Sequence, residues 1–234
     1  HIDNDAEVIG ACYETNAAMC ADARLALQAL NTLVDEASTV SGADGANRAR
    51  AAREPKWEAF NVLAASNDAP ILPERVIRAL NQLAPDDAVV VADPGTPCPY
   101  FSAYYELKHP GRHFITNRAH GALGFSLGAA VGAQIARPNS KIICAMGDGS
   151  FGFSVGELET VMRLGLPITF IVFSNAVFGW IKAGQKTGFG ERYFSVDFTR
   201  TDHAAVAAAY GLKTWRIEAP ADLEGALKAA IAHD

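Results

Sequence analysis

The stretch Ile142-Ile-Cys-Ala-Met-Gly-Asp-Gly-Ser-Phe-Gly-Phe-Ser-Val-Gly-Glu-Leu-Glu-Thr160 decides the fold that we expect for this chain. It begins with an apolar run at 142–146, which has the length of a buried strand in a parallel sheet. A glycine-rich segment follows, and residues 155–163 then have the apolar spacing of an amphipathic helix. The stretch therefore predicts a strand, a turn that contains one carboxylate, and a helix. In α/β proteins this arrangement binds phosphate groups.

The turn also contains Gly147-Asp-Gly-Ser-Phe-Gly152, which matches the G-x-G-x-x-G fingerprint of dinucleotide-binding folds. That fingerprint needs an acidic residue about 20 positions later, at the end of the next strand. The next apolar run, 168–173, ends instead in Ser174-Asn175. Asp148 would moreover repel a diphosphate unless a divalent cation lay between them. We therefore favour a metal-assisted diphosphate site, with a nicotinamide-binding oxidoreductase or a non-catalytic nucleotide-binding module as the alternative.

Asn175 makes the metal interpretation more specific. It follows Asp148 by 27 positions (175 − 148) and comes at the tip of the next predicted strand. The ends of neighbouring parallel strands meet at one edge of a sheet, so the two side chains should converge there. Mg²⁺ prefers one or two hard protein oxygens together with phosphate oxygens in octahedral geometry. The alternative is that Asp148 caps a helix and that Asn175 is an ordinary turn residue.

The pattern Gly147-Asp-Gly149 followed by Ser174-Asn175 resembles the thiamine-diphosphate motif. The segment 116–133 is similar to the one that precedes this motif in acetolactate synthases and related 2-oxo-acid decarboxylases and carboligases. Residues 93–96, Asp-Pro-Gly-Thr, are similar to the first diphosphate loop of these enzymes. The resemblance covers roughly residues 70–231. It implies that thiamine diphosphate and Mg²⁺ are the cofactors.

The resemblance assigns the anionic end of the cofactor to two loops. Asp148, Asn175 and the carbonyl group of Val177 would bind Mg²⁺. The diphosphate would lie between Gly149-Ser150 on one side and Gly95-Thr96 on the other.

The resemblance also assigns residues to the ring end of the cofactor. The carbonyl of Gly121 would contact the aminopyrimidine, and Leu123 would be the apolar wedge that bends the cofactor. His120 would either move a proton or bind a substrate carboxylate, or it would support the pocket without touching the substrate. The residues assigned to the cofactor are Gly95, Thr96, Gly121, Leu123, Gly147, Asp148, Gly149, Ser150, Asn175, Val177, Phe178 and Gly179; those with catalytic roles are Leu123 and His120.

The chain departs from the family pattern at a few positions. Because of these departures, the sequence does not indicate which member of the family it is. Ser174 replaces the first Asn of the usual Asn-Asn pair, and Leu123 stands where many acetolactate synthases have Met. The resemblance implies a decarboxylase or carboligase that acts on a small 2-oxo acid or aldehyde. The alternative is another thiamine-diphosphate enzyme, of the aldehyde lyase, 2-hydroxyacyl-CoA lyase or sulfoacetaldehyde acetyltransferase type.

The resemblance further implies that another polypeptide region completes the site. In this family the carboxylate on the pyrimidine nitrogen is a glutamate of a separate pyrimidine-binding domain on a partner subunit. No glutamate of this chain matches it. We therefore expect a homo- or hetero-oligomer in which this chain supplies the diphosphate and metal half. The chain would be either the C-terminal portion of a longer protein or the small subunit of a split enzyme.

Composition excludes several other classes of partner. The net charge of −6 and the lack of a dense Lys/Arg block argue against nucleic acid. No apolar run reaches the length of about 18 residues that a bilayer span needs, and we recognise no signal peptide. The four cysteines form no C-x-x-C pair, which is typical of reduced, mostly structural thiols. We predict a cytoplasmic protein that does not enter a membrane.

The predicted organisation has three parts. Residues 1–38 resemble the last strand and closing helix of the middle domain in this family, although an ordinary N-terminal helical extension is the alternative. Residues 39–69 are a predicted linker, and residues 70–234 form the predicted diphosphate- and Mg-binding domain. In that domain helices alternate with strands, which predicts an α/β fold with a parallel sheet flanked by helices on both faces. The predicted helices are 22–30, 73–83, 121–136, 204–210 and 222–231, and the further strands are 88–92, 168–173 and 212–217, with an extended piece at 112–115.

Overall fold

A computed structural model of the chain describes residues 1–36 and 44–233. Residues 37–43, which belong to the predicted remnant and linker, lie outside the described residues. The chain divides into two compact units, His1–Pro55 and Lys56–Asp234. The domain boundaries at residues 38 and 69 stay a prediction.

The first unit contains two short parallel strands and a helix. Strand β1 (Ile2–Asp3) pairs with β2 (Met19–Cys20), and helix α1 spans Ala23–Glu36. Asp22 starts this helix because its side chain accepts a 3.0 Å hydrogen bond from the backbone N–H of Leu25. The helix ends at Glu36, so it is longer than the predicted helix 22–30.

The second unit is built on a four-stranded parallel sheet in the order β4-β3-β5-β6. The strands are β3 (Val89–Ala92), β4 (Phe114–Ile115), β5 (Ile142–Gly147) and β6 (Ile168–Phe173). The apolar run at 142–146 is fully buried, because a central parallel strand is covered on both faces. The predicted parallel α/β sheet is confirmed.

Alternate residues of the central strands point into two separate hydrophobic cores. Val90, Ala92, Ile143 and Ala145 belong to one core, and Val89, Val91, Ile142, Cys144 and Met146 belong to the other. This alternation follows from the two-residue period of a strand. The first core receives side chains from three helices, α3 (Pro73–Leu83), α4 (Pro97–Tyr104) and α10 (Leu223–Ile231). The second core receives them from α5 (Phe125–Ala136), α6 (Asp148–Ser154) and α7 (Leu158–Leu164). The described helices are α2 (Gly45–Ala64), α3 (Pro73–Leu83), α4 (Pro97–Tyr104), α5 (Phe125–Ala136), α6 (Asp148–Ser154), α7 (Leu158–Leu164), α8 (Gly179–Gly188), α9 (His203–Ala209) and α10 (Leu223–Ile231), with 3-10 turns at Val155–Glu157 and Pro220–Asp222.

Three further predicted elements differ from the structure. The glycine-rich turn is helical, because α6 begins at Asp148, directly after β5. Helix α5 begins at Phe125 rather than at residue 121, since Gly124 adopts a left-handed conformation (φ = 87°) that a helix cannot contain. Residues 212–217 are not part of the described sheet, so that predicted strand was wrong.

The described part of the predicted linker contains helix α2, in which Phe60 and Ala64 are buried in the core of the second unit. Among the helices within residues 1–36 and 44–233, none has both the length and the apolarity needed to cross a bilayer.

Candidate functional site

Asp148 lies where β5 ends and α6 begins, and its side chain is only 5% exposed. Its Oδ1 accepts a 2.8 Å hydrogen bond from the backbone N–H of Gly149. Its Oδ2 accepts hydrogen bonds from the backbone N–H groups of Asn175 (2.8 Å) and Ala176 (2.5 Å). Three backbone donors thus stabilise a buried carboxylate that would be costly to bury alone. Asp148 does more than start a helix, since it also holds the loop after β6.

The loop after β6 is tightly turned around Asn175. The Asn175 side chain is exposed, and its Oδ1 accepts a 3.2 Å hydrogen bond from the backbone N–H of Val177. Ala176 has φ = 58°, a left-handed conformation that costs a residue with a Cβ about 1–2 kcal/mol. Among the described residues, no backbone amide donates to the carbonyl oxygen of Val177. A carboxylate, an amide oxygen and an open carbonyl therefore lie at one edge of the sheet. The role of Asp148, Asn175 and Val177 as metal ligands stays a prediction.

An extended segment, residues 196–198, pairs with the loop after β6. Residues 176–178 pair with residues 196–198 through an antiparallel bridge between Val177 and Asp197. Two backbone hydrogen bonds of 2.9 and 3.0 Å close the bridge. The bridge fixes the backbone on which the open carbonyl of Val177 lies.

Ser174, which precedes the loop, contacts helix α9. Its hydroxyl lies 3.1 Å from Nδ1 of His203, at hydrogen-bond distance. The His203 ring meets Phe151 of α6 edge to face, with centroids 5.5 Å apart. His203 thus links the residue before Asn175 to the helix that begins at Asp148.

The first turn of α6 is covered by an aromatic ring. A Cβ on Gly149 would overlap the ring of Phe178, so only glycine fits this position with the ring in place. Phe178 packs edge to face on Phe198, with ring centroids 4.7 Å apart. Gly149 and the ring of Phe178 are therefore in contact.

The opposite wall of the site comes from the loop after β3. A Cβ on Gly179, the first residue of α8, would lie 3.1 Å from Oγ1 of Thr96. Gly95 has φ = 117°, and a Cβ there would lie 3.4 Å from Cδ2 of Leu123. The two glycines thus let Thr96 approach α8 and let Leu123 approach the β3 loop. Four of the predicted cofactor residues come together here.

Asp93 is part of the site that sequence reasoning missed. It is fully buried at the end of β3, and its carboxylate accepts hydrogen bonds from Gly124 N–H (3.2 Å) and Ser126 N–H (2.9 Å). It also accepts a 2.6 Å hydrogen bond from the hydroxyl of Ser150. The hydroxyl of Ser150 therefore points into the protein and already uses its single proton. An acidic residue directly after a wholly apolar strand was the signal for this buried role.

His120 and Gly121 lie before α5, on the solvent-exposed side of the site, which we call the open side. Both are exposed, and Gly121 has φ = 72° with its N–H bonded to the carbonyl of Asn117 at 3.0 Å. Neither residue takes part in the hydrogen bonds that hold Asp148 and Asp93. The positive φ turns the carbonyl of Gly121 in a direction that a residue with a Cβ rarely allows.

Cys144 lies in β5, three residues before Gly147, and it is fully buried. Burial raises the pKa of this thiol to about 12, against a smaller lowering by the Ser126 hydroxyl and a further rise from the charge of Asp93. The thiol is therefore neutral at physiological pH and unreactive. This agrees with the predicted structural role of Cys144.

The donor set fits a hard cation rather than a soft one. Within the described residues no group of three or more His, Cys, Asp or Glu side chains is placed to hold a metal. The oxygens at this edge of the sheet come from one carboxylate (Asp148), one amide (Asn175) and one carbonyl (Val177). Mg²⁺ accepts such a small set when phosphate oxygens and water complete its octahedron.

Residues 93–234 match the family described as "Thiamine pyrophosphate enzyme, C-terminal TPP binding domain". The chain belongs to this family. Thiamine pyrophosphate is another name for thiamine diphosphate, so the resemblance found in the sequence is confirmed. The matched range begins at Asp93 and contains both glycine loops of the site.

Individual members of the thiamine pyrophosphate enzymes are also similar to this chain. The "Probable acetolactate synthase large subunit" of Methanococcus aeolicus is 29% identical, over 99% of this chain and 40% of that protein. The benzoylformate decarboxylase of Pseudomonas aeruginosa is 33% identical, over 73% of this chain and 32% of that protein.

A solved member of the family shares the fold. The thiamine diphosphate-dependent 4-hydroxybenzoylformate decarboxylase of Rhodococcus jostii RHA1 superposes with a TM-score of 0.66 and 28% identity. The match covers 72% of this chain and 32% of that one. The chain spans less than half the length of each of these relatives.

Proposed function

We propose that this chain binds Mg²⁺ and the diphosphate of thiamine diphosphate, as part of a 2-oxo-acid decarboxylase or carboligase resembling acetolactate synthase. The observation that carries the proposal is the buried carboxylate of Asp148, which three backbone N–H groups hold beside Asn175. A carboxylate next to a diphosphate needs a cation between them. The family to which the chain belongs binds this cofactor.

The residues present fit the cation and the diphosphate. Asp148, the Asn175 amide and the open Val177 carbonyl would bind Mg²⁺. The backbone N–H of Ser150 would contact the diphosphate. Gly149 would line the same turn, and Gly95 and Thr96 would face the diphosphate across the cleft. Gly147, Phe178 and Gly179 would shape this cleft, because the space next to Gly149 and Gly179 is already filled by Phe178 and Thr96.

The ring end of the cofactor would be held by the segment before α5. When bound, thiamine diphosphate supplies a nucleophilic thiazolium carbon and accepts an electron pair as a carbonyl substrate is cleaved. Leu123 would support the bent cofactor, since it packs toward Gly95. The carbonyl of Gly121 would accept a hydrogen bond from the aminopyrimidine. His120 would hold a proton or a substrate carboxylate at the open side, or it would support the pocket without touching the substrate.

We also propose that the activity needs a pyrimidine-binding domain that carries the catalytic glutamate. That domain would come from another chain or from another region of the same protein, in a homo- or hetero-oligomer in the cytoplasm. The substrate would be a small 2-oxo acid or an aldehyde. The named relatives include an acetolactate synthase and a benzoylformate decarboxylase, and these act on different substrates. The alternatives are an aldehyde lyase, a 2-hydroxyacyl-CoA lyase or a sulfoacetaldehyde acetyltransferase type.

Calorimetric titration of the chain tests the cofactor proposal. We expect binding of thiamine diphosphate in the presence of Mg²⁺, much weaker binding in the presence of a chelator, and no binding of NAD. Binding of NAD without any response to thiamine diphosphate would instead support the dinucleotide alternative. A panel of 2-oxo acids and aldehydes, added with a pyrimidine-binding domain of the family, would then separate the candidate reactions. Robust turnover by the chain alone would contradict the need for a second domain.

A further inference from the structure

Asp93 is a fully buried carboxylate that joins two parts of the site. Its Oδ1 accepts hydrogen bonds from Gly124 N–H and from the Ser150 hydroxyl, and its Oδ2 accepts one from Ser126 N–H. The backbone N–H of Asp93 donates to the carbonyl of Ala145 on β5, at 2.8 Å. The residue is therefore fixed to the sheet and, at the same time, holds two segments that lie outside it.

On one side Asp93 caps helix α5. The N-cap residue of this helix is Gly124, which has no side chain that could satisfy the first N–H groups. Asp93 takes over this function from a neighbouring strand, and its negative charge is favourable at the N-terminus of a helix. The cap fixes the position of Gly124, and with it the preceding Leu123.

On the other side Asp93 holds helix α6 through Ser150. The 2.6 Å distance is that of a charge-assisted hydrogen bond between a hydroxyl and a carboxylate. A hydroxyl has one proton, so Ser150 cannot donate to a diphosphate while this bond exists. The contact of Ser150 with a diphosphate would then be made by its backbone N–H.

We propose that Asp93 is the positioning residue that fixes the wedge segment, Gly121–Gly124, relative to the diphosphate-binding turn of α6. This inference rests on the proposed function, since the two segments would contact the two ends of one cofactor. A ligand that reaches both segments should therefore depend on Asp93 more strongly than a ligand that reaches only one. A purely structural role would change stability and would affect both ligands equally.

Two ligands separate these roles. Inorganic pyrophosphate with Mg²⁺ occupies only the diphosphate end, whereas thiamine diphosphate with Mg²⁺ also uses the wedge segment. In Asp93→Asn the charge is lost, and the amide group points an N–H donor at one of three existing donors. We expect affinity for thiamine diphosphate to fall about tenfold more than affinity for pyrophosphate, as judged from the loss of charge-assisted hydrogen bonds.

Two further variants complete the experiment. Ser150→Ala removes the bond to α6 and leaves the cap of α5 intact, so it breaks the link between the two segments. Affinity for thiamine diphosphate should then fall about threefold more than affinity for pyrophosphate. Asp87→Asn is the matched control, because Asp87 is an exposed carboxylate that accepts a 3.2 Å hydrogen bond from the Ser140 hydroxyl, at the opposite end of β3. It should change neither affinity. All titrations are made on the full chain, with thermal unfolding recorded for each variant.

Each outcome supports or overturns the inference. A larger loss for thiamine diphosphate than for pyrophosphate in Asp93→Asn supports it, and equal losses or no loss overturn it. If Asp93→Asn does not fold, Ser150→Ala decides, because a larger loss for thiamine diphosphate than for pyrophosphate supports the link through Asp93, whereas equal losses or no loss overturn it. Failure of the unmodified chain to bind either ligand would overturn the proposed function as well, which distinguishes the two failures.

Discussion

The side of the candidate site that we propose for the diphosphate and the open side, which contains His120 and Gly121, differ in how their polar groups are held. On the diphosphate side, Asp148 and Asp93 are almost fully buried, and each accepts three hydrogen bonds from within the chain. On the open side, His120 and Gly121 are exposed, and helix α8 contains no buried residue. The chain thus organises one side of the site in advance and leaves the other accessible.

This difference teaches where the free energy of ligand binding should be sensitive to substitution. A buried polar group that loses its partner leaves donors without water or protein acceptors, which costs about 1–3 kcal/mol for each group. An exposed side chain exchanges its contacts for water at little cost. The following variants test whether the two sides differ in this way.

The largest effect is expected for Asp148→Ala. The substitution removes the proposed metal ligand and leaves the N–H groups of Gly149, Asn175 and Ala176 without their acceptor. Affinity for thiamine diphosphate with Mg²⁺ should fall at least about a hundredfold, measured by calorimetry. Glu159→Gln is the control, because Glu159 is an exposed carboxylate paired with Arg163 on the neighbouring α7. An unchanged affinity in Asp148→Ala would rule out the metal-binding role.

The second effect compares two glycines of the same helix. In Gly149→Ala the new methyl group would overlap Phe178, so stability should fall by about 1–3 kcal/mol and cofactor affinity by about tenfold. In Gly152→Ala nothing lies within 4 Å of the new atom, and stability should rise by about 0.5–1 kcal/mol. Denaturant unfolding and calorimetry measure both variants. Equal behaviour of the two would show that the Phe178 ring does not restrict this turn.

The third effect is a gain of stability at Ala176. Because this residue has φ = 58°, Ala176→Gly should stabilise the protein by about 0.5–1 kcal/mol in denaturant unfolding. The same change at Ala208, an exposed position of helix α9, should destabilise it by about 1 kcal/mol. A loss of stability in Ala176→Gly would mean that the left-handed conformation is not strained in solution.

The smallest effect is expected on the open side. Trp180 is 53% exposed on α8, so Trp180→Ala should change the affinity for thiamine diphosphate with Mg²⁺ by less than about twofold. Calorimetry under the conditions used for Asp148→Ala gives a direct comparison. A tenfold loss would contradict the proposed difference, because it would place an exposed ring among the main determinants of cofactor binding.

The sequence was sufficient to predict the parts of the molecule that depend on local pattern. The apolar run at 142–146 and the spacing of Asp148 and Asn175 predicted a parallel strand and two side chains at one edge of the sheet. Both follow from the period of a strand and from the rule that parallel strands end at the same edge. In the structure the backbone N–H of Asn175 contacts the Asp148 carboxylate.

The parts that the sequence did not reveal depend on contacts between distant segments. Asp93 caps helix α5 from another strand, 33 positions before Ser126, and no local pattern records such a partner. The hydroxyl of Ser150 points to Asp93 for the same reason. Residues 212–217 have the composition of a strand, but a strand also needs backbone hydrogen bonds to a neighbour, and these residues do not pair with the described sheet.

The alternation of β5 between two hydrophobic cores has a consequence for insertions and deletions. If one residue were added between Ile142 and Met146, every side chain beyond that point would turn to the opposite face. Both cores would be disrupted at once, and Asp148 would rotate away from the amides of the β6 loop. The number of residues in β5 therefore fixes the position of Asp148, and a graft of the site onto another scaffold must keep that number unchanged.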